Sequence, residues 1–422
     1  MNILILGAGA REHALGWKIR QSPLLERLYF APGNAGTAEL GENITVDVSN
    51  HAVLATFCCE HNIGFVIPGQ DIFYAAGVVD DLTAKGILVF GPTKAAAEIE
   101  WSKAYAKEIM NSASIPTARS KTFVNFDEAN TYLNGQLFPI VIKADGLALG
   151  KGVVIAKSLE EAREALRAAL IKNTFGEAGR TVVIEEFLKG IEISIHALCA
   201  GADTVLFPVS QDHKRVYDGD RGPNTGGMGA IAPVSGVSKE IMQEVRDRII
   251  LPTLVELKRR DRPFSGLLYP GIMLTEEGPK VIEFNARFGD PEAQVYMRIL
   301  KSDLLPALIA CSQGSVKETK LEWSTDSAAC VVMASPGYPG KYVTGKPISG
   351  VERKNHKGVV IFHSGTAHDR DRKIVTNGGR VLSITAIGKN LQTAVSRAYA
   401  GITKISFEGA QYRKDIGAKG IL

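Results

Sequence analysis

The first hundred residues alternate short apolar runs with helical stretches, and that order leaves few folds open. Runs at 3–6, 28–30, 44–48, 65–67 and 88–90 read as strands, and 11–21, 51–60 and 75–84 read as helices between them. Several of the runs are apolar at every position, as a strand needs when both of its faces are covered. A βαβα order of this kind predicts a doubly wound parallel sheet with helices on either side. We therefore expect an N-terminal α/β domain over 1–100.

The texture changes at Thr93. A helix is predicted over 94–110, stopped by Ile115-Pro116. A smaller unit follows, with strands at 140–143, 153–156 and 181–186, a glycine loop at 146–152 and a helix at 159–172. Paired strands are expected at 192–198 and 204–209, and a glycine-dense loop at 218–229. Next come a long helix at 239–259 and a hairpin of 267–274 with 280–284, turning at 277–279. Beyond Gly314 the chain is strand-rich. The division is then 1–100, 101–320 with a small lid near 120–190, and a C-terminal domain over 321–422, α/β and α+β in class.

A net charge of +4 over 422 residues gives no reason to expect a nucleic-acid partner, while small anionic substrates suit it. Five cysteines, an odd number without a C-x-x-C pair, read as buried thiols in a reducing compartment. No apolar run approaches the ~18–20 residues that span a bilayer. The start reads into a strand rather than a leader, so a cytoplasmic protein is expected, and a monomer, because no exposed apolar stripe stands out.

Four segments carry chemistry. Gly7-Ala-Gly9-Ala-Arg11-Glu12 sits between a strand and a helix, where glycines admit a phosphate to the helix N-terminus. A third glycine is missing, and no acid ends the second strand, which argues against a nicotinamide enzyme. A phosphate site and a tight structural turn both remain open. Lys143 ends a strand and leads into a loop carrying Lys151 and Gly152, a pattern that can fold ammonium and amide groups over a triphosphate. The apolar strand ending in Glu185 and Glu186, with Phe187, Leu188 and then Glu192, can offer backbone groups to an adenine and a carboxylate to a ribose. Finally, Glu283, Asn285 and Arg287 alternate along one strand face. Oxygen ligands at that spacing suit Mg²⁺ on phosphates, and the guanidinium suits a transferring phosphoryl group. A solvated strand face is the plainer reading of the glutamate strand, whereas the turn that follows Arg287, with two more acids at Asp290 and Glu292, favours a site at the second.

In this order the residues resemble the ATP-grasp superfamily and, within it, the phosphoribosylamine–glycine ligase family. The closer likeness rests on Ala-Pro-Gly-Asn-Ala-Gly-Thr (31–37), Lys-Ala-Asp-Gly-Leu-Ala (143–148), Ser-Gln-Asp-His-Lys-Arg (210–215) and Gly-Pro-Asn-Thr-Gly-Gly-Met-Gly-Ala (222–230). Arg-Phe-Gly-Asp-Pro-Glu (287–292), Gly-Tyr-Pro-Gly (337–340), Thr-Asn-Gly-Gly-Arg-Val-Leu (376–382) and Arg-Lys-Asp-Ile-Gly (413–417) extend it along the chain. The resemblance implies a central ATP-grasp fold and ligation of glycine to phosphoribosylamine through an acyl phosphate, with ATP spent. It implies phosphate contacts from Lys103 and Lys143, adenine contacts along 185–188, a ribose on Glu192, and Mg²⁺ or Mn²⁺ on Glu283 and Asn285. Arg287 and Lys143 would be catalytic. Gly9, Arg11, Glu12, Asp71, Asp212, Lys214, Arg215, Asn224, Gly226, Gly227 and Asp290 would face the other substrates. His13 and His213 read either as bases or as structural hydrogen-bonding residues.

Two departures from the family pattern stand out. The strand 271–274 lacks an additional acid before the metal pair, and 69–74 reads Gly-Gln-Asp-Ile-Phe-Tyr where the family has Gly-Pro-Glu followed by Pro-Leu. A diverged ligase taking another amine, and a silent nucleotide-binding protein, are the competing readings.

Overall fold

The computed structural model describes residues 1–146, 152–351 and 358–418. Its N-terminal sheet is four-stranded and parallel, in the order Glu42–Asn43, Arg27–Pro32, Asn2–Gly7, Ile63–Pro68. Side-chain alternation explains why Asn2–Gly7 is apolar throughout. Ile3 and Ile5 share a core with Ala14 and Ile19 of helix Ala10–Ile19, while Leu4 and Leu6 share one with Leu54 and Val78 on the opposite side.

Several expected elements are shorter or split, each for a local reason. The strand expected at 44–48 is only Glu42–Asn43, because the chain turns out of the sheet where Asp47 Oδ1 accepts from the Ser49 amide and hydroxyl. The helix expected at 75–84 is two, Asp71–Ala76 and Val78–Thr83, divided by Gly77 at φ +89°. Residues 88–90 form a single parallel bridge, Val66 with Val89, rather than a strand. The helix expected at 94–110 is Lys94–Trp101 and Lys103–Ser112, broken at Ser102, whose extended backbone lets its hydroxyl cap the second helix at the Tyr105 amide. This break sets Lys103 in the first turn of a new helix.

The lid is a four-stranded antiparallel sheet, Ser120–Phe123, Val182–Glu186, Ile140–Ala144, Val153–Ala156, with a core of its own around Phe123, Leu133, Ile142 and Leu166. The strand expected at 192–198 is interrupted. Ile191–Ser194 pairs with Ser265–Thr275, and Ala197–Ala200 pairs with both Asp203–Leu206 and that same long strand. The hairpin of Ser265–Thr275 with Gly278–Asn285 is as anticipated, but its turn lies at Glu276-Glu277. The expected loop at 218–229 contains a hairpin, Arg215–Tyr217 with Arg221–Asn224, whose tip holds Gly219 and Asp220 at positive φ.

The last sheet crosses the anticipated boundary at 320. Its antiparallel order is Gln211–Asp212, Gly229–Ala232, Ser327–Ala334, Arg380–Gly388, Val359–His363. Residues on either side of the 222–230 loop are therefore built into the same sheet as the C-terminal strands. Among the described residues no helix is long and apolar enough to cross a membrane.

Candidate active site

The hairpin Ser265–Thr275/Gly278–Asn285 organises the centre. Gly271 lies opposite Glu283 and Tyr269 opposite Asn285, with a bulge directly after Gly271. Bulges re-aim the side chains of their partner strand. Beyond the strand end, Arg287 folds back so that one Nη is 3.2 Å from Asn285 Oδ1 and the other donates to Tyr269 Oη at 2.8 Å. Its Nε meets Glu100 Oε1 at 3.1 Å, and Glu100 Oε2 accepts from the Ala286 amide at 2.8 Å. Glu100 thus fixes both the backbone and the guanidinium beside the oxygen pair.

Three lysines converge on the same place. Lys143 Nζ donates to the Ile282 carbonyl at 2.7 Å and pairs with Glu185 at 3.0 Å. Lys103, at the helix start, reaches the Gly146 carbonyl at 3.4 Å. Lys214 joins Glu192 at 2.6 Å to Glu283 at 3.2 Å. Lys214, then Lys143 and Lys103, hold the Glu283 carboxyl down at about 2 despite its burial. Glu283 is accordingly anionic at any working pH. Burial works against the charges of Lys214 and Arg287 as well. The carboxylates around them prevail, Glu192 first for Lys214 and Glu100 first for Arg287, and both stay protonated.

Asp212 and Glu292 form the opposite kind of environment. Glu292 is 3% exposed, and Asp212 Oδ1 is buried without a hydrogen-bond partner. Burial, and then the charge of Glu292, raise Asp212 well above the usual carboxylate range, and burial raises Glu292. Gly227 lies against Asp212 at φ +110°, where a Cβ would come within 2.4 Å of Pro291 and 2.8 Å of Asp212 Oδ1. Only glycine fits there.

The phosphate-loop residues of the first domain are knotted together rather than open. Glu12 is fully buried and accepts from the Gly9 amide at 2.6 Å and from Arg11 Nε at 2.7 Å. A Cβ on Gly69 would lie 1.9 Å from its Oε1, so the 69–74 loop closes directly over it. Arg11 extends to the Phe288 carbonyl at 3.0 Å. Asp290 stands beside Gly9 and is held by Arg380 at 3.0 Å and Gln294 at 2.7 Å. Asp71 begins helix Asp71–Ala76, and its charge reaches Glu100 and Arg287.

Other expected residues lie further out. Glu185 is wedged between Lys143 and Lys107, the latter 3.3 Å away, so its carboxylate is engaged by lysines. Glu186 pairs with Arg119 at 2.7 Å, and Phe187 and Leu188 follow half-buried outside the ladder. Gly152 accepts from the Ala144 amide, whereas Lys151 lies outside the described residues. Arg215 is turned to the Gly222 carbonyl, Asn224 pairs in register with it, and the Gly226 carbonyl accepts from Arg380. His13 Nδ1 accepts from the His363 amide, and the two nitrogens of His213 meet the Gly229 carbonyl and the Gly417 amide. Burial, and then His363, press His13 well below its ordinary value. Both histidines are joints in the packing.

Glu100, Lys107, Tyr269 and Arg380 carry no signal in the sequence that marks them for the site, whereas Glu292 is one of the two turn acids whose presence favours one. Arg380 lies inside the 376–382 motif, but nothing in that pattern shows that it reaches Asp290. The donor set fits a hard divalent cation: one fixed carboxylate and one amide oxygen, with phosphate oxygens able to complete the shell. Among the described residues no cluster of three or more His, Cys, Asp or Glu side chains is assembled for a metal.

Comparison with known proteins adds the lineage. Phosphoribosylglycinamide synthetase family models match in three parts, the N domain over residues 1–100, the ATP-grasp (A) domain over 101–293 and the C domain over 328–419. Phosphoribosylamine–glycine ligase of Halalkalibacterium halodurans is 45% identical over 421 residues, covering 100% of this chain and 97% of that protein. The trifunctional purine biosynthetic protein adenosine-3 of Gallus gallus is 48% identical across 99% of this chain, which spans only 42% of that longer protein. The crystal structure of phosphoribosylamine–glycine ligase from Thermotoga maritima superposes with a TM-score of 0.87 at 35% identity, covering 99% of this chain and 100% of the other. The biotin carboxylase domain of Hydrogenobacter thermophilus 2-oxoglutarate carboxylase, solved with MgADP, shares the fold at a TM-score of 0.72 and 17% identity, over 97% and 91% of the two chains. The chain belongs to the phosphoribosylglycinamide synthetase, or phosphoribosylamine–glycine ligase, family.

Proposed function

We propose that this protein joins glycine to 5-phosphoribosylamine at the expense of ATP, giving glycinamide ribonucleotide, ADP and phosphate in de novo purine biosynthesis. The observation that carries the reading is the face of Glu283, Asn285 and Arg287, ringed by Lys103, Lys143 and Lys214 and set beside the acids Asp212 and Glu292. One side of the cleft suits a triphosphate and the other suits a cation. The protein works as a cytoplasmic monomer on small molecules, with working domain boundaries of 1–100, 101–320 and 321–422.

ATP lies with its phosphates on Lys103, Lys143 and the loop bearing Lys151 and Gly152, its adenine against the backbone of 185–188, and its ribose near Glu192. Glu283 and Asn285 would hold Mg²⁺ or Mn²⁺, which would supply positive charge to offset that of the phosphates. The glycine carboxylate attacks the γ-phosphorus, ADP departs, and Arg287 offsets charge on the transferring group from a guanidinium fixed by Glu100 and Tyr269. The amine of phosphoribosylamine then attacks the glycyl phosphate carbonyl and expels phosphate. No protein nucleophile is required, and the catalytic task is positioning. Phosphoribosylamine enters near Gly9, Arg11, Asp71 and Asp290. Arg215, Asn224, Gly226 and Gly227 close the loop side, and Glu12 supports Gly9 and Arg11.

Release of ADP from Mg-ATP is the direct test, with glycine and freshly generated phosphoribosylamine supplied singly and together. Turnover that needs both is expected. Absence of ADP under every condition would remove the ligase, and turnover with a different amine would reassign the substrate.

The ammonium of glycine fits the carboxyls of Asp212 and Glu292, because Asp212 Oδ1 is buried without a hydrogen-bond partner beside the buried Glu292, and buried acids gain most from a cation beside them. Glu292→Gln should raise the KM for glycine by about 30-fold, roughly 2 kcal/mol of a charged hydrogen bond, with the KM for ATP within threefold of wild type. Steady-state titration of each substrate checks this, and an unchanged glycine KM would contradict it.

A further inference from the structure

The segment 413–417 contacts the hairpin that carries Lys214 at its first strand and along its turn. Arg413 is 1% exposed, and its guanidinium divides its donors between that hairpin and Asp415. One Nη reaches the Arg215 carbonyl at 3.1 Å and Asp220 Oδ1 at 2.8 Å, while Nε and the other Nη form a fork on Asp415 at 2.7 Å each. Asp415 in turn accepts from the Gly219 amide at 2.9 Å. The Lys414 amide donates to Asp218 at 2.8 Å, and the Gly417 amide donates to His213 at 3.2 Å. The segment is anchored from behind on helix Leu391–Ile402, where Tyr399 Oη accepts from the Ile416 amide and donates to the Arg413 carbonyl.

The residues on both sides of Lys214 are therefore gripped, His213 by Gly417 and Arg215 by Arg413. Lys214 itself reaches away from the grip to join Glu192 and Glu283. The hairpin it sits in has two strands of three and four residues, a size that does not hold its shape in water unaided. We propose that segment 413–417 is a clasp that positions Lys214, and through it the Glu283 carboxylate, so that Arg413 tunes substrate turnover without touching a substrate. The functional half of this inference rests on the ligase reading above; the mechanical half does not.

Arg413→Met tests it. The carboxylates it would release, Asp220 and Asp415, keep 36% and 25% of their side-chain exposure, so water can serve them and the fold should survive. Asp218→Ala loosens the same clasp from the hairpin side. Both variants should speed amide hydrogen exchange in Arg215–Tyr217 and Arg221–Asn224 by at least tenfold, with exchange in the lid strands unchanged. In ADP-release kinetics both should lower kcat/KM for glycine by about tenfold or more. Neither should lower it by more than about twofold when Lys214 is already Met, because interacting sites fail to add. Exchange in the hairpin equal to wild type would overturn the clasp, whatever the activity. A full further loss in the Lys214→Met background would overturn its action through Lys214. An inactive wild type with the exchange result intact would sink the ligase reading and leave the clasp standing.

Discussion

Glu283→Gln is expected to lower kcat for ADP release about a thousandfold, near 4 kcal/mol of barrier, while the melting temperature stays within a few degrees of wild type. The side chain keeps its size and one oxygen but loses its charge. Lys214 is left on Glu192 alone, which costs little because its ammonium is about one-third exposed. What disappears is the only carboxylate of the strand face, the group that Lys214, Lys143 and Lys103 keep ionised. Of the two residues that would hold a divalent cation, only Asn285 would keep its native oxygen donor. Raising Mn²⁺ should recover part of the rate if the lost contact is a metal ligand. Near-normal kcat, or loss that tracks unfolding by circular dichroism, would refute the assignment.

The legible parts of this protein were those where chemistry follows from local pattern. The alternation of apolar runs gave the parallel sheet because a strand covered on both faces must be apolar throughout, as Ile3 to Leu6 are. The period of two placed Glu283, Asn285 and Arg287 together, and the hairpin register confirms that a single strand edge bears the first two. Breaks were harder to see. Gly77 and Ser102 each end a helix whose apolar pattern continues on the far side, so periodicity ran straight across them. The supports of the site were not legible at all. Glu100, five helices and many strands away from Arg287 in sequence, meets it through folding, and a buried glutamate has no mark in the sequence that a surface one lacks. The same holds for Lys107 and for the crossing of Gly229–Ala232 into the C-terminal sheet, since strand partners distant in sequence share no pattern. The strand 271–274, noted for its missing acid, faces a neighbouring strand that supplies one: Met273 is in register with Glu192.

Glu185 shows how differently two glutamates of one site behave, and Glu185→Gln should damage the fold before it damages the chemistry. Its carboxylate is 4% exposed and lies between Lys143 at 3.0 Å and Lys107 at 3.3 Å, themselves 4% and 5% exposed. Burial already pushes the Lys107 ammonium down to about 8, with Glu185 pulling it back up. Removing that anion leaves two lysines buried against each other, and breaking one partner out of a buried ionic cluster costs about 3–5 kcal/mol. A drop of that size in unfolding free energy is expected, with Lys107 titrating lower still. Adding Lys107→Met to Glu185→Gln should return most of the stability, because the surplus charge is gone and Lys143 keeps the Ile282 carbonyl. The KM for ATP should nevertheless stay raised, since Lys143 loses the Glu185 carboxylate as the second of its two anchors. The sign of the pH effect is distinctive. Lys107 is depressed in the folded state, so the unfolded chain binds more protons between about 8 and the ordinary lysine value, and wild-type stability should rise with pH across that window. The double variant should lose this rise. Equal stability of wild type and Glu185→Gln in urea titrations at pH 7, or a rise that persists without Lys107, would show that the three groups are not coupled.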